Sequence, residues 1–172
     1  MRLETERLTL RLPKMEDVDV VGELLGDPEV VRFLGGQTAA PEEFPAIVQK
    51  WLDRWDAFGM GPFMVERDGV FVGRTGVLVW DLRVWEHDVP KPPAEFRQHE
   101  VGWAFVRAAW GNGYATESAR AVLDWALAQE VESLASIIAP ANIRSQRVAE
   151  RLGATPAETI DRPSGPAVVW RY

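Results

Sequence analysis

The residues best suited to bind an anion lie in the stretch "WGNGYATE", which runs from residue 110 to residue 117. Its two glycines, Gly111 and Gly113, permit turn dihedrals and let a ligand approach the backbone without meeting a Cβ atom. A helical pattern follows directly, and the first N–H groups of a helix lack intrahelical partners and lie at the positive end of the helix dipole. The stretch therefore predicts a phosphate site. A tight strand-to-helix turn that binds nothing would show the same pattern.

Two common phosphate ligands do not fit this stretch. A Walker loop for ATP or GTP needs Gly-Lys-Ser/Thr, and the turn contains no lysine. A dinucleotide-binding turn needs a small residue where this chain has Thr116, and it lies early in its first βαβ unit. More than half of this chain precedes the turn. A phosphate ligand at this turn would therefore belong to another class.

The hydrophobic periodicity predicts one α/β domain without repeats or linkers. Alternating or apolar runs predict strands over 7–12, 62–67, 70–80, 99–106, 134–139 and 167–172. Helical spacing predicts helices over 15–25, from Asp27, from Pro41, over 115–129 and over 142–152. The helix from Pro41 carries its apolar residues on one stripe, so we expect its tryptophans, Trp51 and Trp55, to lie in the core.

Composition excludes several classes of protein. The 172 residues carry a formal charge of −7, which argues against nucleic-acid binding and mildly favours cationic substrates. No run reaches the ~18 apolar residues that a membrane helix needs, and the alternating N-terminus does not resemble a signal peptide. Cysteine is absent, which excludes disulfides and thiol chemistry and makes a cytoplasmic location the default expectation.

Three segments resemble the GNAT superfamily of N-acetyltransferases. "WGNGYA" matches the family's Gln/Arg-x-x-Gly-x-Gly/Ala motif, and tryptophan at its first position is typical of the branch that acetylates ribosomal-protein N-termini. "ETERLTLRLPKMEDVDVV" resembles the opening of that branch, and "ANIRSQRVAERLGA" resembles its Asn-x-x-Ser-x-x-Val-x-Glu-Lys-Leu-Gly-Phe signature. The resemblance implies one N-acetyltransferase domain over residues 1–172. Its fold would be α/β (α+β), with a mixed, mostly antiparallel sheet of about six to seven strands flanked by about four helices.

The resemblance also implies the ligand, which is acetyl-CoA. Its pyrophosphate would be held by backbone amides of Asn112, Gly113, Tyr114, Ala115 and Thr116. In this family the strand before the turn splays away from the next strand, and the pantetheine arm occupies the gap. Main-chain groups near Phe105 and Val106 would pair with that arm. An amide at a bulge there would polarise the thioester carbonyl, as in an oxyanion hole.

Glu100 is the candidate general base, because it opens the strand that leads to the turn and matches a glutamate common in this branch. It would take the amine proton directly or through a water. The alternative is a surface glutamate at a strand end. Strand alternation directs its neighbour His99 to the opposite face. With His87 and His99 as the only histidines and no cysteine, a metal site has no support.

The last predicted helix carries the remaining candidates. Ser145 shares its inward face with Val148, Ala149 and Leu152, and many family members have a tyrosine at the Ala149 position as the acid that protonates the thiolate. We therefore expect Ser145 to stabilise the thiolate in its place. Asn142 would cap the helix and, by resemblance, touch the pantetheine arm. On the opposite stripe, Arg147 would reach a CoA phosphate.

The acceptor is expected to be a primary amine, foremost the N-terminal α-amine of a protein or peptide. An α-amino group has a pKa near 7.7–8 and a lysine near 10.4, so the α-amine needs less help to lose its proton. Alternatives are a small amine, such as a polyamine, amino acid or antibiotic, and a silent CoA-binding module. Asp81, Glu86, Asp88 and Glu95 would either collect a cation or be solvated. We expect a monomer or homodimer with no nucleic-acid or membrane partner.

Overall fold

The computed structural model describes residues 1–87 and 92–172, in which an eight-stranded mixed sheet forms the centre. Its strands are β1 Arg2–Glu4, β2 Thr9–Arg11, β3 Pro62–Arg67, β4 Val70–Asp81, β5 Arg97–Phe105, β6 Leu134–Ile138, β7 Thr155–Ile160 and β8 Ala167–Arg171. Their order across the sheet is β1-β2-β3-β4-β5-β6-β8-β7. The α-helices are α1 Val18–Leu25, α2 Pro28–Val31, α3 Phe44–Phe58, α4 Tyr114–Ala128 and α5 Ile143–Leu152.

The expected fold class is confirmed, because every pair of strands is antiparallel except β5 with β6. The sheet has eight strands where six to seven were expected. The two additional strands, β1 and β7, lie at opposite edges of the sheet. β1 has three residues, and β7 contains Pro156, which the pattern of a central strand excludes but an edge strand tolerates.

Helices cover both faces of the sheet. Along β3, Met64 packs with α1 and α3, whereas Phe63 and Val65 belong to the core beneath α4. Trp51 is buried, as expected, and half-buried Trp55 packs edge-on against Phe63 at 4.7 Å between ring centroids. The apolar stripe of α3 is therefore core and not a ligand platform.

The two central strands, β5 and β6, separate soon after they meet. They pair in parallel only at His99 with Leu134 and at Glu100 with Ala135. On its other side β5 stays fully paired with β4, from Arg97 opposite Asp81 to Phe105 opposite Gly73. The splay that the resemblance implied is therefore present. It leaves the β6-facing edge of residues 101–105 without a neighbouring strand.

Candidate functional site

The glycine turn joins the open strand β5 to helix α4. Gly111 and Gly113 have φ values of +80° and +81°, which L side chains rarely adopt. A Cβ atom on Gly111 would meet no atom within 4 Å, and one on Gly113 would meet Nη2 of Arg7 at 3.6 Å. The backbone conformation therefore favours glycine at both positions, and the two glycines border open space that a ligand can enter.

Unpaired amides face this space at the start of α4. The first hydrogen bond of the helix runs from the N–H of Glu117 to the carbonyl of Gly113, at 3.0 Å. The N–H groups of Tyr114, Ala115 and Thr116 consequently have no intrahelical acceptor. The hydroxyl of Thr116 is buried and has no hydrogen-bond partner in the described part of the chain. These donors fit an anionic group such as a phosphate.

Asn112 holds the turn together and does not offer its side chain to a ligand. Its amide nitrogen donates to the carbonyls of Ala109 and Trp110, at 3.1 and 3.2 Å. Its own carbonyl accepts a hydrogen bond from Nη1 of Arg7 at 3.1 Å. Any contribution of Asn112 to phosphate binding is therefore limited to its backbone N–H.

Arg7, on the connection between β1 and β2, contacts the glycine turn and was not predicted from the sequence. Its Nε donates to the Glu117 carboxylate at 2.7 Å, and its guanidinium lies over the Tyr114 ring at 5.0 Å. Burial alone would raise the pKa of Glu117, but hydrogen bonds from Thr5 and Arg7 outweigh it and lower the pKa. The β1–β2 connection thus anchors the first turn of α4 and places a cation beside Gly113.

A second missed cation is Arg144, whose guanidinium lies 4.7 Å from the centroid of the Trp110 ring. The Trp110 indole N–H in turn donates to the carbonyl of Phe105 at 2.7 Å. Arg147, the cation expected from the sequence, is exposed on α5. Arg144 therefore contacts the turn segment through Trp110.

The open edge of β5 presents different backbone groups from those expected. Alternate residues of a strand direct their N–H and C=O groups to opposite neighbours. The Val101 carbonyl accepts from Ser136 on β6 at 2.6 Å, so Trp103 and Phe105 also face the gap. Val106 is already engaged: its N–H donates to Val72 at 3.1 Å and its carbonyl accepts from Ala109 at 2.9 Å.

The expected bulge in β5 is absent, and this expectation is wrong. The register between β4 and β5 is unbroken along the strand. No bulge is needed to free amides here, because β6 stops pairing with β5 after Glu100. Regular alternation then leaves every second N–H of β5 directed into the gap.

A cavity of about 320 Å³ lies where the two strands separate. Glu100 lines it and is 9% exposed. Its carboxylate accepts hydrogen bonds from the indole N–H of Trp80 and, at 3.4 Å, from the backbone N–H of Ile137. His99 does not line the cavity, and burial lowers the pKa of its imidazole. Alternation along β5 therefore separates the two residues as expected.

Helix α5 directs its first turn toward the same cavity. Asn142 caps the helix by accepting a hydrogen bond from the N–H of Ser145 at 3.2 Å, and both residues line the cavity. Ala149, one turn later, is fully buried in a cluster with Ile138 and Trp170. The position at which many family members have a tyrosine is thus part of the core in this chain. Half-buried Ser145 remains at the cavity wall.

The four acidic residues that would collect a cation or be solvated do not act as one group. Asp81 is buried, and hydrogen bonds from Arg83 hold its pKa below the usual range. Glu86 lines the cavity, Glu95 is exposed, and Asp88 lies outside the described residues. Within residues 1–87 and 92–172, no three potential metal ligands cluster, and no helix is long and apolar enough to cross a membrane.

Comparison with known sequences identifies the family. The model of the GNAT acetyltransferase domain matches residues 7–155 of this chain. The Bacillus subtilis protein YkkB is 31% identical over 180 residues, which cover 98% of this chain and 94% of YkkB. The Bacillus subtilis N-acetyltransferase YnaD is 25% identical over 154 residues, which cover 89% of this chain and 82% of YnaD.

Solved structures share the fold over the whole chain. An Agrobacterium tumefaciens acetyltransferase has a TM-score of 0.81 at 30% identity, with 100% of this chain and 94% of that chain covered. RimL, a ribosomal-protein α-N-acetyltransferase solved with coenzyme A, has a TM-score of 0.79 at 13% identity, with 100% and 97% covered. Aminoglycoside acetyltransferase AAC(6')-Ib, also with coenzyme A, has 0.76 at 20%, with 96% and 94% covered. RimL and AAC(6')-Ib support the fold alone, but the family match and the identity to YkkB show that this chain belongs to the GNAT acetyltransferase family.

Proposed function

We propose that this protein transfers the acetyl group of acetyl-CoA to a primary amine, with an α-amine as the preferred acceptor. The observation that carries the proposal is the open edge of β5, which runs from the glycine turn at one end to the Glu100 cavity at the other. A phosphate site, a free strand edge and a carboxylate thus follow one another along a single path. That order matches the pyrophosphate, pantetheine arm and thioester of acetyl-CoA.

Different groups of the protein would bind different parts of acetyl-CoA. Amides from Gly113 to Thr116, with the buried Thr116 hydroxyl and the cations Arg7 and Arg144, would hold the phosphates. Exposed Arg147 would contact a more distant phosphate. Backbone groups of Trp103 and Phe105 would pair with the pantetheine amides, in the role first expected of Phe105 and Val106.

The transfer itself needs a neutral amine and a stabilised thiolate. The nitrogen lone pair forms the C–N bond, the C–S bond breaks, and the amine proton passes to Glu100 directly or through a water. A backbone N–H on the open edge of β5 would polarise the thioester carbonyl. Ser145, at the wall of the same cavity, would donate a hydrogen bond to the sulfur as its charge develops.

A direct test uses the absence of cysteine, because a thiol reagent then reads released CoA without protein background. Acetyl-CoA should raise the melting temperature of the protein, and an amine panel should release CoA. A chain that is not stabilised by acetyl-CoA and releases no CoA with any amine would contradict the proposal. Stabilisation without turnover would indicate a silent CoA-binding module.

Ser145→Ala is expected to lower kcat roughly tenfold, because a hydrogen bond to a charged sulfur contributes about 1.5 kcal/mol or somewhat more. The KM for acetyl-CoA should stay nearly unchanged. Ser164→Ala is the matched control, since Ser164 lies on the loop at another side of the same cavity. An unchanged kcat with a lowered melting temperature would make Ser145 a structural hydroxyl only.

A peptide with a free N-terminus should be acetylated faster at pH 7 than one with a blocked N-terminus and a lysine. The α-amine is roughly a tenth neutral at this pH, whereas the lysine is almost wholly charged. Mass spectrometry of the two matched peptides gives the ratio. Preferential modification of the lysine would contradict an α-amine acceptor.

A small-molecule amine is the second candidate acceptor. The specific observation in its favour is the cavity, whose volume of about 320 Å³ is at the lower end of ligand sites. The β7–β8 connection forms one wall of this cavity through Arg162, Pro163 and Ser164. This wall limits the length of an acceptor that approaches Glu100. A short acceptor fits this boundary better than a long chain.

A further inference from the structure

Two arginines line the Glu100 cavity and have hydrogen-bond donors without a partner. The Nε atoms of Arg74, on β4, and Arg162, on the β7–β8 connection, are buried and have no hydrogen-bond partner among residues 1–87 and 92–172. Each guanidinium lies 5.8 Å from the centroid of an indole ring, Trp51 for Arg74 and Trp80 for Arg162. The aromatic rings hold the two cations in place but do not neutralise them.

Several arginines outside the cavity form ion pairs with carboxylates. These ion pairs join Arg7 to Glu117, Arg11 to Asp17, Arg83 to Asp81, Arg107 to Asp27 and Arg171 to Glu158. Arg74 and Arg162 form no such pair in the part of the chain that the structure describes. Both residues are half-buried and the charge of Glu100 acts on both, so the buried, unused Nε donors and the second positive charge are what point to an anionic ligand.

Burial lowers the pKa of Arg74 to about 10, and the charge of Glu100 offsets only part of this effect. Arg74 is therefore still protonated at neutral pH. Its guanidinium presents a positive charge with little compensation, which a planar carboxylate can match by a two-point hydrogen bond.

Gly102 leaves an open space between Arg74 and Glu100. A Cβ atom on Gly102 would lie 3.7 Å from Oε1 of Glu100 and 3.8 Å from Nη1 of Arg74. These are ordinary contact distances, so packing does not require glycine at this position. The residue opposite, Gly76, differs, because its Cβ would lie 2.2 Å from the carbonyl oxygen of Gly61. The missing side chain of Gly102 thus keeps a carboxylate and a cation on either side of one small space.

We propose that the acceptor is a free α-amino acid, whose amine approaches Glu100 while its carboxylate binds Arg74 across Gly102, with Arg162 adding positive charge on the cavity wall. The inference rests on the proposed acetyltransferase function. The amine and carboxylate of an α-amino acid are bonded to the same carbon, so one small molecule over Gly102 reaches both groups. The unused donors of Arg74 and Arg162 place positive charge beside Gly102 and on the cavity wall, which disfavours polycations such as polyamines and aminoglycosides at that position.

A carboxylate beside the amine changes the demand on the catalytic base. It stabilises the ammonium form and raises the pKa of the amine above that of a peptide N-terminus. Glu100 is then needed to remove the proton at neutral pH. The same carboxylate, once paired with Arg74, loses part of that influence, so binding and deprotonation support each other.

The test compares free amino acids with their own α-amides as acceptors. Alanine, leucine, methionine and glutamate are each assayed beside the matching amide, with spermidine and an aminoglycoside added, by CoA release at pH 7.5. The α-amine of an amino-acid amide has a lower pKa than that of the free acid, so a larger fraction of it is neutral at pH 7.5. The difference in pKa alone would therefore favour the amide over the acid. We expect at least one acid to exceed its amide at least tenfold in kcat/KM.

Two variants connect the preference to the structure. Arg74→Gln should raise the KM for the amino acid about tenfold and leave the KM for acetyl-CoA unchanged. Gly102→Ala should raise the amino-acid KM similarly, and it keeps the test open if Arg74→Gln fails to fold. Arg171→Gln, which removes an arginine paired with Glu158, is the control.

Each outcome decides the proposal. Amides, peptides or polyamines exceeding every amino acid would overturn it and leave the acetyltransferase function intact. An acid-to-amide ratio that neither variant changes would also overturn it. No stabilisation by acetyl-CoA and no CoA release with any amine would remove the proposed function and this inference together.

Discussion

Glu100→Gln is expected to lower kcat about a thousandfold at pH 7, while the KM for acetyl-CoA stays within a few-fold. A general base contributes roughly a hundredfold to ten-thousandfold when the acceptor is mostly protonated. Glutamine keeps the size and one carbonyl acceptor for the indole N–H of Trp80 but cannot take a proton. The measurement is CoA release at saturating acceptor.

The pH profile separates a base from a structural glutamate. Without the base, the rate of Glu100→Gln should rise about tenfold per pH unit up to the pKa of the acceptor amine, because only the neutral amine reacts. A structural defect would instead lower the rate by the same factor at every pH. Glu95→Gln, at an exposed glutamate just before β5, is the matched control. Near-normal activity of Glu100→Gln at pH 7 would refute the assignment.

Gly113→Asp is expected to raise the KM for acetyl-CoA about a hundredfold, and Gly113→Asn by only a few-fold. The two residues have nearly the same size, and both tolerate the left-handed conformation that φ of +81° imposes. They differ by one negative charge at the mouth of the turn. Repulsion between unit charges about 5 Å apart costs about 3 kcal/mol at the effective dielectric constant near a protein surface, which corresponds to a hundredfold change or more.

The control for this pair is the same exchange at Gly69, whose φ is +78° and around whose Cβ position no atom lies within 4 Å. Gly69→Asp and Gly69→Asn share the backbone strain but lie in the β3–β4 hairpin. Equal KM values for Gly113→Asp and Gly113→Asn would show that no phosphate approaches the turn. The melting temperatures report the strain separately.

Local signals identified most of the elements. Asp27, from which a helix was predicted, accepts a hydrogen bond from the N–H of Glu29, and Pro28 takes the first helical position. Asn142 caps α5, and Gly153 ends it with φ of +93°. Caps and turn glycines depend on neighbours within a few residues, so the sequence contains the whole interaction. β1 and β7 were not predicted from the sequence, because a short edge strand depends on the partner strand beside it.

The sequence by itself determined the glycine turn at the start of α4, the inward position of Ser145 and the opposite directions of His99 and Glu100, because glycine conformation and the periods of helix and strand are local properties. Only the tertiary structure decided that Val106 is tied to Val72. It alone brought Arg74 and Arg162 to the walls of the Glu100 cavity. These two arginines come from a central strand and a distant connection, so no periodicity relates them. Their shared place follows from strand order and from the separation of β5 and β6, which the whole sheet imposes.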